Sequence, residues 1–552
     1  MLHIQAIFTV EGRRMEEHGK AYAWNGVWVS WLMPAFILVS LACLAGRILS
    51  YPINRDEHMF VTVAQQWPNA DLYRDLGFNH LPNLAILFSS VFALTGTDHY
   101  LMATRLLILA AWAAALILIW LIGRRMGVSN LAIVAAMALL VGNITLLGPP
   151  GMLATNSFIP IPFSFLAFLF VLGALDEDYP RKRRIAEAFL SGVAVSLAIG
   201  FKANFIIIAP CFFIASVLAR QSQPLIERLR FQCLPLCFGG LVGGFPSLLA
   251  FARDFEGMVA HTLRYFTELH SAFWVDSTEP KAVSFADKIL LAEEIWLGGT
   301  TLLVIVGICV MAVRPFTLAG LRGGMAHLLR WQVILMAALV LLGIVISFVP
   351  TPSFSQYFVP PIPFLLLAFL SLAPASGVGR SQPADLGDGD VRTTALLLSL
   401  IALALIAGSV RLLPGLAALA NPARWTGIAT YSVMHDALDR EGLAVDARIA
   451  TLSPLLAIEG GRDIYPEFAA GQFVFRVAPY MTAEERQHYR TTSPEELTQF
   501  LDANQPDAIL VDIAEPLEAR LSDYAVSHGY REVEGGGERG ALEFKLYIST
   551  PP

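Results

Sequence analysis

Charge is what this sequence has little of. Only 15% of its 552 residues are Asp, Glu, Lys or Arg, whereas a soluble globular chain averages about a quarter. Hydrophobic residues make up 55%, and the mean hydropathy is +0.58. These values exclude a water-soluble globular enzyme and predict a polytopic α-helical membrane protein. Cysteine is scarcer still. The five cysteines, Cys43, Cys211, Cys233, Cys237 and Cys309, all lie in apolar runs, and the hydrophilic tail has none. No disulfide framework therefore holds that tail. Cys233 and Cys237 stand one helical turn apart, and small apolar packing residues explain them better than a metal pair. A cleaved signal peptide is not expected, because the first apolar run comes late, is long enough to span and has no small-residue cleavage site.

What the sequence does have is a series of apolar runs. They fall at 27–50, 99–123, 128–148, 157–175, 185–201, 204–219, 231–252, 289–312, 331–350, 358–374 and 394–412. This predicts about eleven transmembrane helices. The fifth and sixth are short and are split by Lys202. Basic residues of short loops favour the cytoplasm. Arg124 and Arg125, the run Arg181 to Arg184, and Arg228, Arg314, Arg330 and Arg392 share one side, while loops 149–156 and 351–357 carry no Lys or Arg. The expected organisation is a cytoplasmic leader at 1–26 and a transmembrane domain at 27–412 with periplasmic loops 51–98 and 253–288. A soluble periplasmic α/β domain follows at 413–552, all in a bacterial inner membrane. The linker 376–392 is expected to be a flexible cytoplasmic loop.

The tail differs in charge. From Asn421 onward it has 21 acidic against 11 basic residues, more than the whole net charge of −7. Nucleic acid and anionic lipid surfaces are poor partners for such a segment. Strands are expected at 447–452, 508–511 and 542–548, and helices at 493–504 and 516–528, with Gly535, Gly536 and Gly537 as a turn.

The stretch Asn54-Arg55-Asp56-Glu57-His58 follows the first apolar run. Two adjacent carboxylates near a membrane usually face water or a cavity, because a charge in the bilayer is costly. Asn54 can cap a helix that starts at Arg55, and Glu57, three residues on, fits a capping box. Asp56 has no such structural assignment. Met59, Phe60, Val63 and Trp67 recur at helical spacing and predict a surface-lying amphipathic helix. Tyr73-Arg74-Asp75, Asn79-His80-Leu81-Pro82 and Arg105 follow. Loop 253–288 carries Arg264, Tyr265, His261, His270 and Trp274, which suits either phosphate and sugar binding or an interfacial helix anchored by its aromatics. His261 and His270 have no zinc-ligand spacing.

Taken in order, these motifs resemble the first outer loop of the GT-C membrane glycosyltransferases, in particular the protein O-mannosyltransferase and lipid A aminoarabinose transferase group, families 39 and 83. Phe201-Lys202 and Gln356-Tyr357-Phe358-Val359-Pro360 resemble further motifs of that group. The resemblance implies a GT-C-like fold and an inverting transfer of a sugar from a polyprenyl-phosphate donor to a lipid, glycan or protein acceptor. It implies Asp56, with Glu57 beside it, as the catalytic carboxylate, and Lys202, Arg74, His80, Arg264, Tyr265, Tyr357 and Asn156 around donor phosphate and sugar. The logic requires no cofactor and leaves a divalent metal open. Two departures stand out. Where the group carries a further acid, this chain has at best Asn156, and where some members carry Lys it has His80.

Two rival readings come from other classes. A lipid or sugar transporter should show paired broken helices in corresponding halves, and the sequence shows none. A non-catalytic envelope assembly protein should tolerate loss of Asp56.

Overall fold

The computed structural model describes residues 33–219, 223–278, 281–374, 388–536 and 543–549. The expected leader 1–26 and most of the linker 376–392 lie outside these residues.

The expected apolar runs fall on helices, but 231–252 and 289–312 are each divided between two of them, and the first run is described only from Met33. Five helices are long and apolar enough to cross a membrane: Tyr100–Arg125, Arg181–Phe201, Gly299–Thr317, Ser355–Leu372 and Val391–Leu419. Two bent pairs, Leu225–Gly243 with Phe245–Arg253 and Ala319–Leu328 with Trp331–Ser347, bring the number to seven if each is one span. Five shorter apolar helices complete the set, among them Met33–Leu49 and Ala203–Leu218. Small residues let some of these helices touch backbone to backbone. A Cβ on Gly192 would lie 1.9 Å from the Leu236 carbonyl oxygen, and one on Gly239 would lie 1.9 Å from that of Phe189. Close contact of this kind is how helices associate in lipid, where apolar burial between them gains little.

We number the first four helices α1 (Met33–Leu49), α2 (Arg55–Gln66), α3 (Asn83–Thr95) and α4 (Tyr100–Arg125). The Asn54 side chain accepts the Asp56 N–H at 3.1 Å and so starts α2. The sequence predicts a surface-lying helix here, and the structure corrects it. Every residue of α2 from Glu57 to Ala64 is buried. Its apolar face packs on α3 and α4, and the short helix Pro454–Glu459 of the acidic tail lies against it as well. The loop 149–157 is also buried from Pro150 to Ser157, held by a hydrogen bond of 2.8 Å from Trp112 Nε1 to the Gly151 carbonyl.

Beyond Thr426 the chain alternates helix and strand. Five strands, β1 (Arg448–Ala450), β2 (Asp463–Ile464), β3 (Ala508–Asp512), β4 (Arg531–Gly536) and β5 (Glu543–Ile548), form one sheet in the order β2-β1-β3-β5-β4. β1 runs parallel to β2 and β3, and β5 runs antiparallel to β3 and β4. Strand residues alternate between the two faces. Ala450, Ile509, Val511 and Tyr547 pack on the helices of the tail. Ile449, Leu510, Phe544 and Leu546 join the same apolar core as the membrane helices. The expected strands at 447–452, 508–511 and 542–548 correspond to β1, β3 and β5. The helix expected from 493 begins at Leu497. Gly535 and Gly536 close strand β4 instead of forming a turn, and Gly537 lies outside the described residues.

Candidate active site

Glu57 and Asp56 are adjacent in sequence and have different fates. The Glu57 side chain is fully buried and forms a two-pronged ion pair with Arg105 of α4, at 3.0 Å to Nε and 2.7 Å to Nη2. Its Oε1 also accepts the Ala154 N–H at 2.9 Å. Arg105 donates further to the carbonyls of Ile48 (3.0 Å), Pro52 (3.2 Å) and Tyr51. One buried pair thus ties α1, α2, α4 and loop 149–157 together. The capping box expected for Glu57 is not made. A cap is worth about 0.5–2 kcal/mol, whereas breaking a buried ion pair costs about 3–5 kcal/mol, so Arg105 takes the carboxylate.

The Asp56 carboxylate, by contrast, accepts no hydrogen bond from a side chain or backbone among the described residues. Burial raises its pKa above the ordinary carboxylate range, and nearby Lys202 and Arg476 partly offset this. Lys202 arrives from the membrane bundle. The chain breaks there, with φ −148° and ψ 115°, between the helix Arg181–Phe201 and the turn Ala203–Ile207. The break lets Lys202 Nζ reach Ser157 Oγ at 3.0 Å and the Gln356 carbonyl at 3.3 Å. The Tyr357 ring lies 5.7 Å from the same ammonium. Tyr265 is buried and Tyr357 half-buried, and both are within electrostatic reach of Asp56. A carboxylate, a lysine and two phenols from four separated stretches of sequence therefore converge.

The remaining expected residues divide. His80 lies beside this group, stacked on Phe60 at 4.9 Å, with the Asn156 amide 3.4 Å from its Nδ1. Burial, with Lys202 and His270 nearby, lowers its pKa to about 3. His80 is therefore neutral near pH 7 and supplies no positive charge. Arg264 turns away toward the tail, where it pairs with Glu485, and with Glu268 at 2.9 Å. Arg74 is exposed on a turn whose backbone N–H groups at Tyr73 and Arg74 both donate to Asp71 Oδ1 at 3.0 Å. Of the four cations expected around a phosphate, only Lys202 faces Asp56. Among the described residues no three His, Cys, Asp or Glu side chains stand together in a way that could hold a metal ion.

The site also holds a residue that sequence reasoning missed. Arg476 follows the tail helix Gln472–Phe475 and is 5% exposed. Its guanidinium lies over the rings of Phe473 (4.8 Å), Phe273 (5.2 Å) and Trp274 (5.4 Å) and reaches the Tyr265 hydroxyl. Loop 253–288 builds this cage as a helix over 255–276 whose middle, Ala260–Leu269, is π-helical. Segments of that kind are frequent at functional sites. The only signal in the sequence is a lone cation after an aromatic run, Phe473-Val474-Phe475-Arg476, in an otherwise acidic tail.

The fold has a counterpart among solved structures. The chain is similar to the solved structure of ArnT from Cupriavidus metallidurans bound to undecaprenyl phosphate, with a TM-score of 0.57 at 13% identity over 94% of this chain and 98% of that one. It also matches the Archaeoglobus fulgidus oligosaccharyltransferase tethered with an acceptor peptide (TM-score 0.44, 12% identity, 94% of this chain and 74% of that one). A third match is the arabinofuranosyltransferase AftD from Mycobacteria (TM-score 0.44, 14% identity, 94% of this chain and 41% of that one). The last two alignments are too loose to add to the argument. No family model matches the sequence, and no curated protein matches it. At these identities the likeness concerns fold, and with the apolar helices it makes this chain a membrane protein.

Proposed function

We propose that this protein is an inverting glycosyltransferase that moves a sugar from a polyprenyl-phosphate donor to a hydroxyl of a lipid, glycan or protein acceptor. The observation that carries the reading is the contrast at Asp56 and Glu57. One carboxylate is consumed by Arg105, while its neighbour stands half-buried near Lys202 and accepts no hydrogen bond among the described residues. The likeness to ArnT bound to undecaprenyl phosphate supports the lipid-linked donor. In the step itself the acceptor oxygen attacks the anomeric carbon as Asp56 takes its proton. The bond from that carbon to the lipid phosphate oxygen breaks, and the phosphate leaves with the electron pair. General-base help of this kind contributes typically 10²–10⁴-fold. Lys202 meets the charge that grows on the leaving phosphate. Tyr265, Tyr357 and Asn156 line the sugar, and neutral His80 packs as a wall instead of clamping phosphate. Arg74 and Arg264 have no part in this arrangement. Glu57 positions the helix that carries Asp56.

The topology of the reading is eleven crossings, the leader 1–26 and linker 376–392 in the cytoplasm, the transmembrane domain at 27–412, and loops 51–98 and 253–288 with residues 413–552 in the periplasm of a bacterial inner membrane. The test is transfer of a labelled sugar from a polyprenyl-phosphate donor by purified variants. Asp56→Asn should lose about 10²–10⁴-fold in kcat with donor affinity and melting temperature unchanged. Near-normal turnover in that variant would remove the assignment. Raised by burial, the Asp56 pKa also places the acid limb of the kcat profile above the ordinary aspartate value of about 3.9.

A further inference from the structure

The charges around Asp56 do not balance. Glu57 is matched by Arg105, and Arg55 is matched by Glu515 at 2.8 Å. That leaves one carboxylate, Asp56, with two buried cations, Lys202 and Arg476, in its field. Arg476 makes no ion pair with a carboxylate among the described residues, and its Nε has no hydrogen-bond partner. The three aromatic rings and the Tyr265 hydroxyl hold the guanidinium in place without neutralising it. A buried charge without a counter-ion is costly, so the site is built for an anion that arrives from outside the chain. A phosphate fits, since a guanidinium is a planar fork that binds such oxygens two at a time.

We propose that Arg476 binds the phosphate of the lipid carrier together with Lys202, so that the acidic tail completes the active site of the membrane bundle. This rests on the transferase reading above and adds to it a second phosphate ligand from a separate part of the chain. The tail is held for the purpose. Tyr265 Oη donates to the Phe473 carbonyl at 3.2 Å, and Tyr480 Oη donates to Asp276 Oδ2 at 2.7 Å, one on each side of Arg476. Two cations on one phosphate also suit the chemistry, because the leaving group gains negative charge as its bond to the sugar breaks.

The test uses the full-length protein in detergent and undecaprenyl phosphate as the probe. Arg476→Gln should bind this lipid about tenfold to a hundredfold more weakly, the loss expected for hydrogen bonds to a charged group. Arg476→Lys, which restores the charge but not the planar fork, should recover only part of it. Both should melt with the wild type, and in transfer assays the donor KM should rise while the acceptor KM stays put. Wild-type affinity in a folded Arg476→Gln, or a change in the acceptor KM alone, overturns the inference and leaves the transferase reading standing. If wild type itself does not bind the lipid, the donor reading fails and this inference with it. Should Arg476→Gln not fold, amide exchange in the wild type decides. The lipid should slow exchange over residues 472–480, and protection near Lys202 without protection there overturns the proposal.

Discussion

The membrane bundle and the acidic tail meet around Asp56, and their polar groups there are held by different means. The bundle fixes its polar groups with apolar packing and one fully buried ion pair, Glu57 to Arg105. The tail shares that apolar core through one face of its sheet and adds a set of polar contacts. These are Arg55 to Glu515 at 2.8 Å, Tyr431 to Asp98 at 2.6 Å, Arg264 to Glu485, and Glu459 accepting the Leu101 N–H at 2.6 Å. Between those contacts it sends Arg476 inward. Residues of both parts therefore surround Asp56, and the polar contacts on the tail side are individually weaker than the buried pair and more sensitive to pH.

Breaking the bundle side should cost most. Arg105→Ala leaves Glu57 charged and alone in the core, a loss of about 3–5 kcal/mol, read as a large fall in melting temperature. Normal stability in that variant would mean that the two parts are held alike. Lys202→Ala comes next. It should weaken binding of undecaprenyl phosphate about tenfold or more while Ser157 and Gln356 keep the loops in place. Unchanged affinity would make Lys202 an interfacial side chain that merely extends toward the membrane surface.

The tail side should show its character in pH. Glu459 lies against the first turn of α4, and burial lifts its carboxyl from 4.5 to about 8. The folded protein therefore keeps this proton over a range in which the unfolded chain has lost it. The associated stability is full below about pH 4.5 and is lost as the pH rises through about 8. Wild type should lose melting temperature between pH 5 and 8 more steeply than Glu459→Gln, whose amide cannot ionise. Equal slopes would show that Glu459 does not govern the contact. The smallest effect is expected at Arg264→Ala. Its ion pairs are partly exposed, and such pairs are worth about 0–1 kcal/mol. A large loss of donor binding there would return Arg264 to the phosphate site.

The sequence made the ends of things legible. Asn54 was readable as a cap because the capping pattern spans only a few residues, and the cap is there. The partner of Glu57 was not readable. The local pattern offered a capping box, and a guanidinium 48 residues away offered far more energy. Lys202 stood out because it interrupts an apolar run. Arg264 looked like Lys202 on paper, a cation near aromatics, yet an acid 221 residues away claims it. The helix α2 was misread as lying at a surface for the same reason. Its polar flank has a cover, and the cover is encoded some 400 residues later.

By itself the sequence determined the membrane character, the order of the apolar helices, the start of α2 and three of the strands. These follow from run length, period and caps, which act over a few residues and do not depend on the rest of the chain. Tertiary structure alone decided which carboxylate is spent on Arg105, which arginine lies in the field of Asp56, and that the tail contributes to its surroundings. A charge in a low-dielectric interior is governed by whatever opposite charge folding brings within a few ångströms of it, and sequence distance carries no record of that.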